Sequence, residues 1–350
     1  MEPMNFAFHC KSKPEPTGKK VAIIGAGPAG LAAAGYLVCK GHEIDVYDKL
    51  PEPGGLMIFG IPELRIPIER VRGGCKILEE KFGVRFITRT KVIQGERHDE
   101  GDELAENTVS LKELMEKYDA VLITTGTWRS RIPKIEGSEL EGVYAALEYL
   151  YRLKAHKLGY LSEEHVPEVK GRVVAVIGAG YSAVDAALES LLEGARKVYL
   201  LYRRTIQEAP AGIYEINALR QKGVEWMELV SPKRIIGKDK VEKLELIKNK
   251  LGEPDETGRR KPIPIEGSEF TLDVDMVIFA TGEITTPPFT EDLGIAVDDR
   301  GRIVVDEKYM TSIEGVFAAG DVVTGPSKVG HAVLSGLKAA KALDLWLRSR

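Results

Sequence analysis

The chain has 350 residues, with 49 Lys plus Arg against 53 Asp plus Glu, a formal net charge of −4. Near neutrality at this size supplies no global field to hold a polyanion, which argues against nucleic acid as a partner. At 43% hydrophobic and 29% charged, the composition is that of a folded soluble protein and not of a disordered one, and the length suggests about two domains.

Residues 1–17 read as a polar, Pro- and Lys-rich tail with no secretory signal. The three cysteines, Cys10, Cys39 and Cys75, are far apart and form no CxxC. That excludes a self-contained four-cysteine iron–sulfur cluster, a zinc ribbon and a redox-active CxxC pair, and no metal site is expected. A disulfide scaffold is not expected either, which fits a reducing cytoplasm. Cys39 and Cys75 read as packing residues on helices, and Cys10 as a lone tail cysteine.

Residues 21–39 carry no charge and are about long enough to cross a bilayer. Gly25, Gly27, Pro28, Gly30 and Gly35 interrupt them, and their first residues read as a buried strand, so no membrane span is expected. The run from Lys20 is instead strand, glycine turn and helix. Gly25 permits the tight turn. Gly27 lets the backbone approach a pyrophosphate. Gly30 lets the helix that starts at Pro28 and Ala29 pack on the strand. The helix N-terminus offers free N–H groups and partial positive charge to the phosphates. The next strand ends at Asp48, where an acid accepts hydrogen bonds from a ribose diol.

A second fingerprint follows: residues 172–177 enter Gly178, Gly180, Tyr181, Ser182 and Ala183. Ala183 replaces the third glycine and slightly loosens the helix–strand approach. The next strand ends not in an acid but in Arg203 and Arg204. Two guanidiniums there suit a 2′-phosphate, through charge-assisted hydrogen bonds. The first site therefore reads as one for FAD or NAD, and the second as one for NADP.

Two further strands end in Thr-Gly: one at Thr125 and Gly126, the other at Ala280, Thr281 and Gly282. Each is read as the closing strand of its nucleotide-binding unit. The stretch 249–268 is rich in Pro, Gly and charge, and is expected to form an exposed hairpin of the NADP domain. The last short strand ends at Gly320 and Asp321, an acid placed for the sugar-alcohol chain of a flavin. Lys328, Val329 and Gly330 then open an amphipathic helix, whose N-terminus can stabilise negative charge on the flavin. Only four Asn and three Gln, with plentiful charge, suggest a thermophile.

Together these motifs resemble a flavoprotein with two dinucleotide-binding domains, of the pyridine-nucleotide:disulfide-reductase fold. Within it the chain is similar to the NADPH-oxidising small (beta) subunit of glutamate synthase and its relatives. Further runs carry that likeness: residues 47–57 with Asp48, Lys49, Gly54, Gly55 and Leu56; residues 59–67 with Arg65; residues 126–131; and residues 202–205. The resemblance implies an α/β fold of two Rossmann-like domains. It implies a tail over 1–17, an FAD domain in two parts, 18–130 and 284–350, and an NAD(P) domain inserted as 131–283. It implies direct hydride transfer between NADPH and FAD with no general base, Arg65 and Glu283 being weak candidates beside the cofactors. Two departures stand out. The family's N-terminal cysteine-rich iron–sulfur domain has no counterpart here, and Tyr181 stands where the family has Asn. The expectation is a cytoplasmic FAD/NADPH module delivering electrons to an iron–sulfur partner subunit or ferredoxin. A free-standing diaphorase, or a flavin-binding scaffold with a decayed nicotinamide site, are the alternatives.

Overall fold

The apolar β runs become parallel strands buried on both faces, as strands covered by crossover helices must be. The computed structural model describes residues 2–93, 99–256, 258–285 and 293–350. It divides into two units, 1–129 with 283–350, and 130–282.

In the first unit, β1 (Lys20–Ile24) leads through a glycine turn to α1 (Pro28–Val38) and β2 (Glu43–Tyr47). A single turn, α2 (Leu56–Phe59), and α3 (Ile68–Phe82) precede β3 (Arg85–Ile87). A side ribbon pairs β4 (Thr90–Val92) with β5 (Asn107–Val109). Then come α4 (Leu111–Lys117) and β6 (Ala120–Ile123). The two-residue strand β7 (Arg129–Ser130) ends the run.

The second unit takes up the chain with β8 (Val143–Ala145), α5 (Ala146–Lys157), β9 (Val173–Ile177), α6 (Tyr181–Leu192) and β10 (Lys197–Tyr202). After α7 (Ile213–Gln221) and β11 (Glu225–Glu228), an antiparallel sheet forms from β12 (Val230–Ile236), β13 (Lys243–Pro254), β14 (Arg260–Pro264) and β15 (Phe270–Asp273). β16 (Met276–Phe279) returns to the parallel sheet, and β17 (Glu283–Ile284) pairs with β7. The first unit closes with β18 (Val316–Ala318), the turn Asp321–Thr324 and a C-terminal helix, Val329–Arg348.

The two parallel sheets share the arrangement of four strands, β6-β1-β2-β3 in one and β16-β9-β10-β11 in the other. Their strand orders are β18-β6-β1-β2-β3 and β11-β10-β9-β16-β8. In each, the strand that feeds a glycine turn (β1 or β9) has its next strand on one side and the closing strand on the other. That reversal of order opens a crevice at the strand C-termini, the usual ligand position in such sheets. Side-chain alternation fills both faces: Val174 and Val176 join one core of the second unit, and Val173, Ala175 and Ile177 the other.

The C-terminal helix packs across α1. A Cβ on Gly336 would overlap the carbonyl oxygen of Ala29, so only glycine allows this approach. His42 and Asp344 lock the pair from the other end, with Nε2 and Oδ1 2.7 Å apart and both residues buried.

The cysteines correct one expectation. Cys10 and Cys39 form a disulfide, with Cα atoms 5.4 Å apart. The tail is not free: Phe6 and Ala7 are buried, and the missing side chains of Gly35 and Gly74 make the groove in which Phe6 lies. That path brings Cys10 to the C-terminal end of α1, where Cys39 is the capping residue. Cys75 is a buried free thiol. Among the described residues, no helix is long and apolar enough to cross a membrane. No group of three or more His, Cys, Asp or Glu among them could hold a metal ion.

Candidate functional site

The first glycine turn is built by three different constraints. Gly25 has φ +103°, a region glycine enters without strain, and a Cβ on it would press against the Thr124 carbonyl. A Cβ on Gly30 would overlap the Gly25 carbonyl oxygen. Gly27 differs: a Cβ there would meet nothing within 4 Å. No neighbour in the protein requires a glycine at 27, and the space beside it is open. Gly27 is also the N-cap of α1, with Pro28 at the first helical position and no side chain capping the first turn. The orphan N–H groups of that turn are left for an anion.

Asp48 secures the turn. Its Oδ2 accepts the Ala26 N–H at 2.6 Å and its Oδ1 the Leu50 N–H at 2.8 Å. Burial pushes its carboxyl up, against those two bonds. Its proximal duty is thus to tie β2 to the glycine turn, with both oxygens engaged. Thr124, one residue before the sequence candidate Thr125, does the same from β6: its hydroxyl reaches the carbonyls of Ile24 and Gly25 at 3.0 and 2.9 Å. Gly54 and Gly55 press on the turn from outside, Gly54 N–H donating to Ala26 O at 2.9 Å. A Cβ on Gly55 would lie 2.8 Å from Gly27 Cα. Leu56 follows, half-buried, at the start of α2.

A cleft opens beside this turn, and Gly25, Asp48, Lys49, Lys91, Thr125, Gly126 and Trp128 are among the residues that line it. Lys49 is buried there and lies 4.5 Å from the centre of the Trp128 ring. Its Nζ donates to Asp102 Oδ1 at 3.0 Å and Glu100 O at 2.6 Å. Burial, then the like charge of Lys91, pulls its ammonium below the ordinary lysine range. Asp102, though burial opposes its ionisation, is held at about 2 by Lys49 and Lys91. Sequence reasoning did not assign Lys91, Asp102 or Trp128. Trp128 lies in the run 126–131; Lys91 reaches the cleft only through the side ribbon, which has no local signature, and Asp102 stands behind it, accepting from Lys49 and Lys91.

On the far side of α1, Gly320 has φ +77° and its N–H donates to the buried Ser335 hydroxyl at 3.0 Å. A Cβ on it would lie 2.9 Å from that of Ala29. The chain thus carries Asp321 to the N-terminal end of α1. Asp321 accepts the Ser327 hydroxyl at 2.7 Å. Burial pushes its carboxyl up. Glu283 is pushed up too, first by burial and then by the negative charges of Asp321 and Glu100. Lys328 caps the C-terminal helix, Val329 is half-buried and Gly330 is exposed, with nothing within 4 Å of its missing Cβ. Arg65 is half-buried, in a turn closed by its own N–H to Pro62 O.

The second turn repeats the design. Gly178 has φ +140°, and a Cβ on it would lie 2.6 Å from the Ala280 carbonyl oxygen. Gly180, the uncapped N-cap of α6, again has open space where a Cβ would be. Ala183 is fully buried in the role of the third glycine, and Tyr181 packs half-buried against the core. Ser182 is half-buried beside it. The Ala211 N–H donates to Ala179 O at 3.0 Å, bringing the segment after β10 onto the turn. On the closing strand, Ala280 N–H donates to Ile177 O at 2.9 Å, Thr281 Oγ1 donates to Arg131 O at 3.0 Å, and Gly282 has φ +104°.

The paired arginines separate in space. Arg203 is exposed at the end of β10. Arg204 is only 3% exposed. Its Nε donates to Arg260 O and its Nη2 to Asp255 Oδ2, each at 2.6 Å. Arg204 therefore braces the β13–β14 hairpin, while Arg203 faces outward. Residue 257 of that hairpin lies outside the described residues.

A family model described as pyridine nucleotide-disulphide oxidoreductase matches residues 19–336. The chain is 37% identical over 334 residues to the NADP(+)-dependent formate dehydrogenase subunit beta of Moorella thermoacetica, covering 95% of this chain and 44% of that one. It is 36% identical over 334 residues to the glutamate synthase [NADPH] small chain of Halomonas elongata, covering 93% and 68%. It thus spans less than half of the first relative and about two thirds of the second. Among solved structures, Mycobacterium tuberculosis FprA in complex with NADPH matches with a TM-score of 0.77 over 96% of this chain and 86% of that chain. At 22% identity that likeness concerns the fold. With a match running over most of its length, the chain belongs to the pyridine nucleotide-disulphide oxidoreductase family.

Proposed function

We propose that the chain is the NADPH-oxidising FAD module of a larger assembly, delivering electrons to an iron–sulfur partner. The observation that carries the two-cofactor reading is the pair Gly27 and Gly180. At each, no protein atom lies near the missing Cβ, and an uncapped helix begins. When bound, FAD supplies the conversion the chain itself lacks, accepting two electrons as hydride from NADPH and releasing them one at a time.

The residues bind and orient. The first turn of α1, from Pro28 and Ala29 to Gly30, holds the FAD pyrophosphate, with Asp48 and Thr124 fixing the glycine turn. Lys49, Thr125, Gly126 and Trp128 enclose the adenosine end. Gly54, Gly55, Leu56, Arg65, Gly320, Asp321 and the helix start at Lys328, Val329 and Gly330 serve the flavin end. Gly180, Tyr181, Ser182 and Ala183 receive the NADPH pyrophosphate, and Ala280, Thr281 and Gly282 border that site.

The electron exit is argued from the cysteines. The disulfide lies at the far end of α1 from the glycine turn, 11 residues or about 16 Å along the helix. Cys75 is buried and its thiol is pushed up to about 12, chiefly by burial, which keeps it unreactive. None of the three is placed as a dithiol relay for the first site. Two relatives of this chain are named as subunits or chains of larger enzymes, and that favours export to a partner.

The test is anaerobic addition of NADPH to the FAD-loaded chain, followed by a reducible ferredoxin. Bleaching of the flavin and stoichiometric ferredoxin reduction are expected. Full turnover on a small-molecule substrate with no iron–sulfur protein present would sink the proposal.

A further inference from the structure

We propose that Lys91 is a ligand residue of the first dinucleotide site, and that its ammonium donates a hydrogen bond to the adenosine half of FAD. The proposal rests on the reading of that site as one for FAD.

The sequence offers Lys49 at this end of the site, but the fold engages Lys49 on every side. An ammonium carries three N–H groups. Lys49 donates to Glu100 O at 2.6 Å and to Asp102 Oδ1 at 3.0 Å, and its Nζ also lies over the Trp128 ring, 4.5 Å from the ring centre. Lys91 differs. It stands on β4, is only 6% exposed and lines the same cleft. Its Nζ donates to Asp99 Oδ2 at 2.9 Å and to Asp102 Oδ1 at 2.6 Å. Its third N–H has no acceptor among the described residues. A buried donor without an acceptor costs free energy, and a ligand that supplies the acceptor removes that cost.

The position of Lys91 is fixed from two directions. The Arg89 N–H donates to Leu50 O and the Thr90 N–H to Asp48 O, each at 2.9 Å, so the chain entering Lys91 is fastened to the residues that follow β2. Behind it, the Asp102 N–H donates to Asp99 O and the Asp99 N–H to Asp102 Oδ2, each at 3.1 Å. The Glu100 N–H donates to Trp128 O at 3.0 Å and ties the same segment to the cleft. The charges of the cluster choose the class of acceptor. The ammoniums of Lys49 and Lys91 stand against the carboxylates of Asp99 and Asp102, with Asp48 beside them. No surplus positive charge is left to attract a phosphate, so the open donor suits a neutral acceptor, a ribose oxygen or a ring nitrogen of adenine. The pyrophosphate is served by the first turn of α1.

The probes are FAD and FMN, titrated into the flavin-free full chain, with the ratio of their dissociation constants as the readout. FMN has the flavin but lacks the adenosine half. The unmodified chain is expected to favour FAD at least about a hundredfold. Lys91→Met, similar in bulk, should lower that ratio about tenfold, the worth of one charge-assisted hydrogen bond, and Lys91→Arg should keep part of it. Lys91→Met combined with Asp99→Asn removes one charge of each sign and should stay as low; it also gives the reading should the single variant fold poorly. If the double variant recovers the unmodified ratio, Lys91 merely balances Asp99 and the proposal is overturned. If Lys91→Met keeps the full preference for FAD, the proposal is likewise overturned and the FAD reading stands. A ratio near one in the unmodified chain overturns the FAD reading itself, and this proposal with it.

Discussion

Glycines with the same name do unlike work within one turn. Gly30 is demanded by packing, Gly25 by its positive φ, and Gly27 by neither. Gly27→Ala should therefore cost the apoprotein less than about 1 kcal/mol, the price of a poorer N-cap, while weakening FAD binding. Gly30→Ala should cost about 3 kcal/mol, because a backbone carbonyl must move. Thermal unfolding of the two apoproteins, with flavin titration of each, separates these outcomes; equal stabilities would refute the assignment. Glu283 makes a second prediction at this scale. Its folded carboxyl is raised above its ordinary value of 4.5 by burial, so the native state holds its proton to higher pH than the unfolded state does. Stability then falls as pH rises from 4.5 through the folded value, and is level above it. Glu283→Gln removes this slope. Denaturant unfolding between pH 4.5 and 8 should show the variant gaining on the unmodified chain as pH rises, and a constant difference would contradict the burial argument.

Among the elements, the tail and α1 show how a segment without secondary structure becomes fixed. Phe6 fills a groove floored by glycine, and Cys10 then meets Cys39. Titration of the unreduced, denatured chain should find one thiol, and the reduced chain three. Reduction should cost about 3 kcal/mol, through the freedom returned to the unfolded loop. Three thiols before reduction would contradict the pairing. The Gly320 element depends on the C-terminal helix in a comparable way. Ser335→Ala leaves the Gly320 N–H without its hydroxyl partner and should cost about 1–3 kcal/mol, with weaker FAD binding because Asp321 follows directly. Unchanged flavin affinity would argue against a part for Asp321 in that site.

For the whole molecule, the two units differ in how the chain makes them. Residues 130–282 are continuous and carry their own two cores, one on each face of the sheet. Expressed alone, they should unfold cooperatively and bind 2′,5′-ADP, since a unit with its own core folds by itself. A fragment that stays unfolded at all ionic strengths would contradict that independence. The first unit is closed by the last part of the chain: β18 and the C-terminal helix complete the sheet and cover α1. Truncation before 315 should therefore abolish flavin binding.

Residue types and short-range order sufficed for much of this protein. Both strand–turn–helix units, the α/β class and the family are legible because glycine spacing and β runs act within a few residues of each other. The hairpin in 249–268 was legible for the same reason, from its Pro and Gly content. What required the tertiary structure was the destination of each polar side chain. The sequence offers Asp48 and Arg204 as ligand groups, and in the fold each is engaged with the backbone or a carboxylate of the protein itself. Lys91 reaches the first cleft through a ribbon with no motif, and Asp102 accepts its Nζ from behind. Cys10 and Cys39 are 29 residues apart in sequence and bonded in space. Hydrogen bonds and contacts of this kind join residues by distance across the fold, and distance across the fold is not written in spacing along the chain.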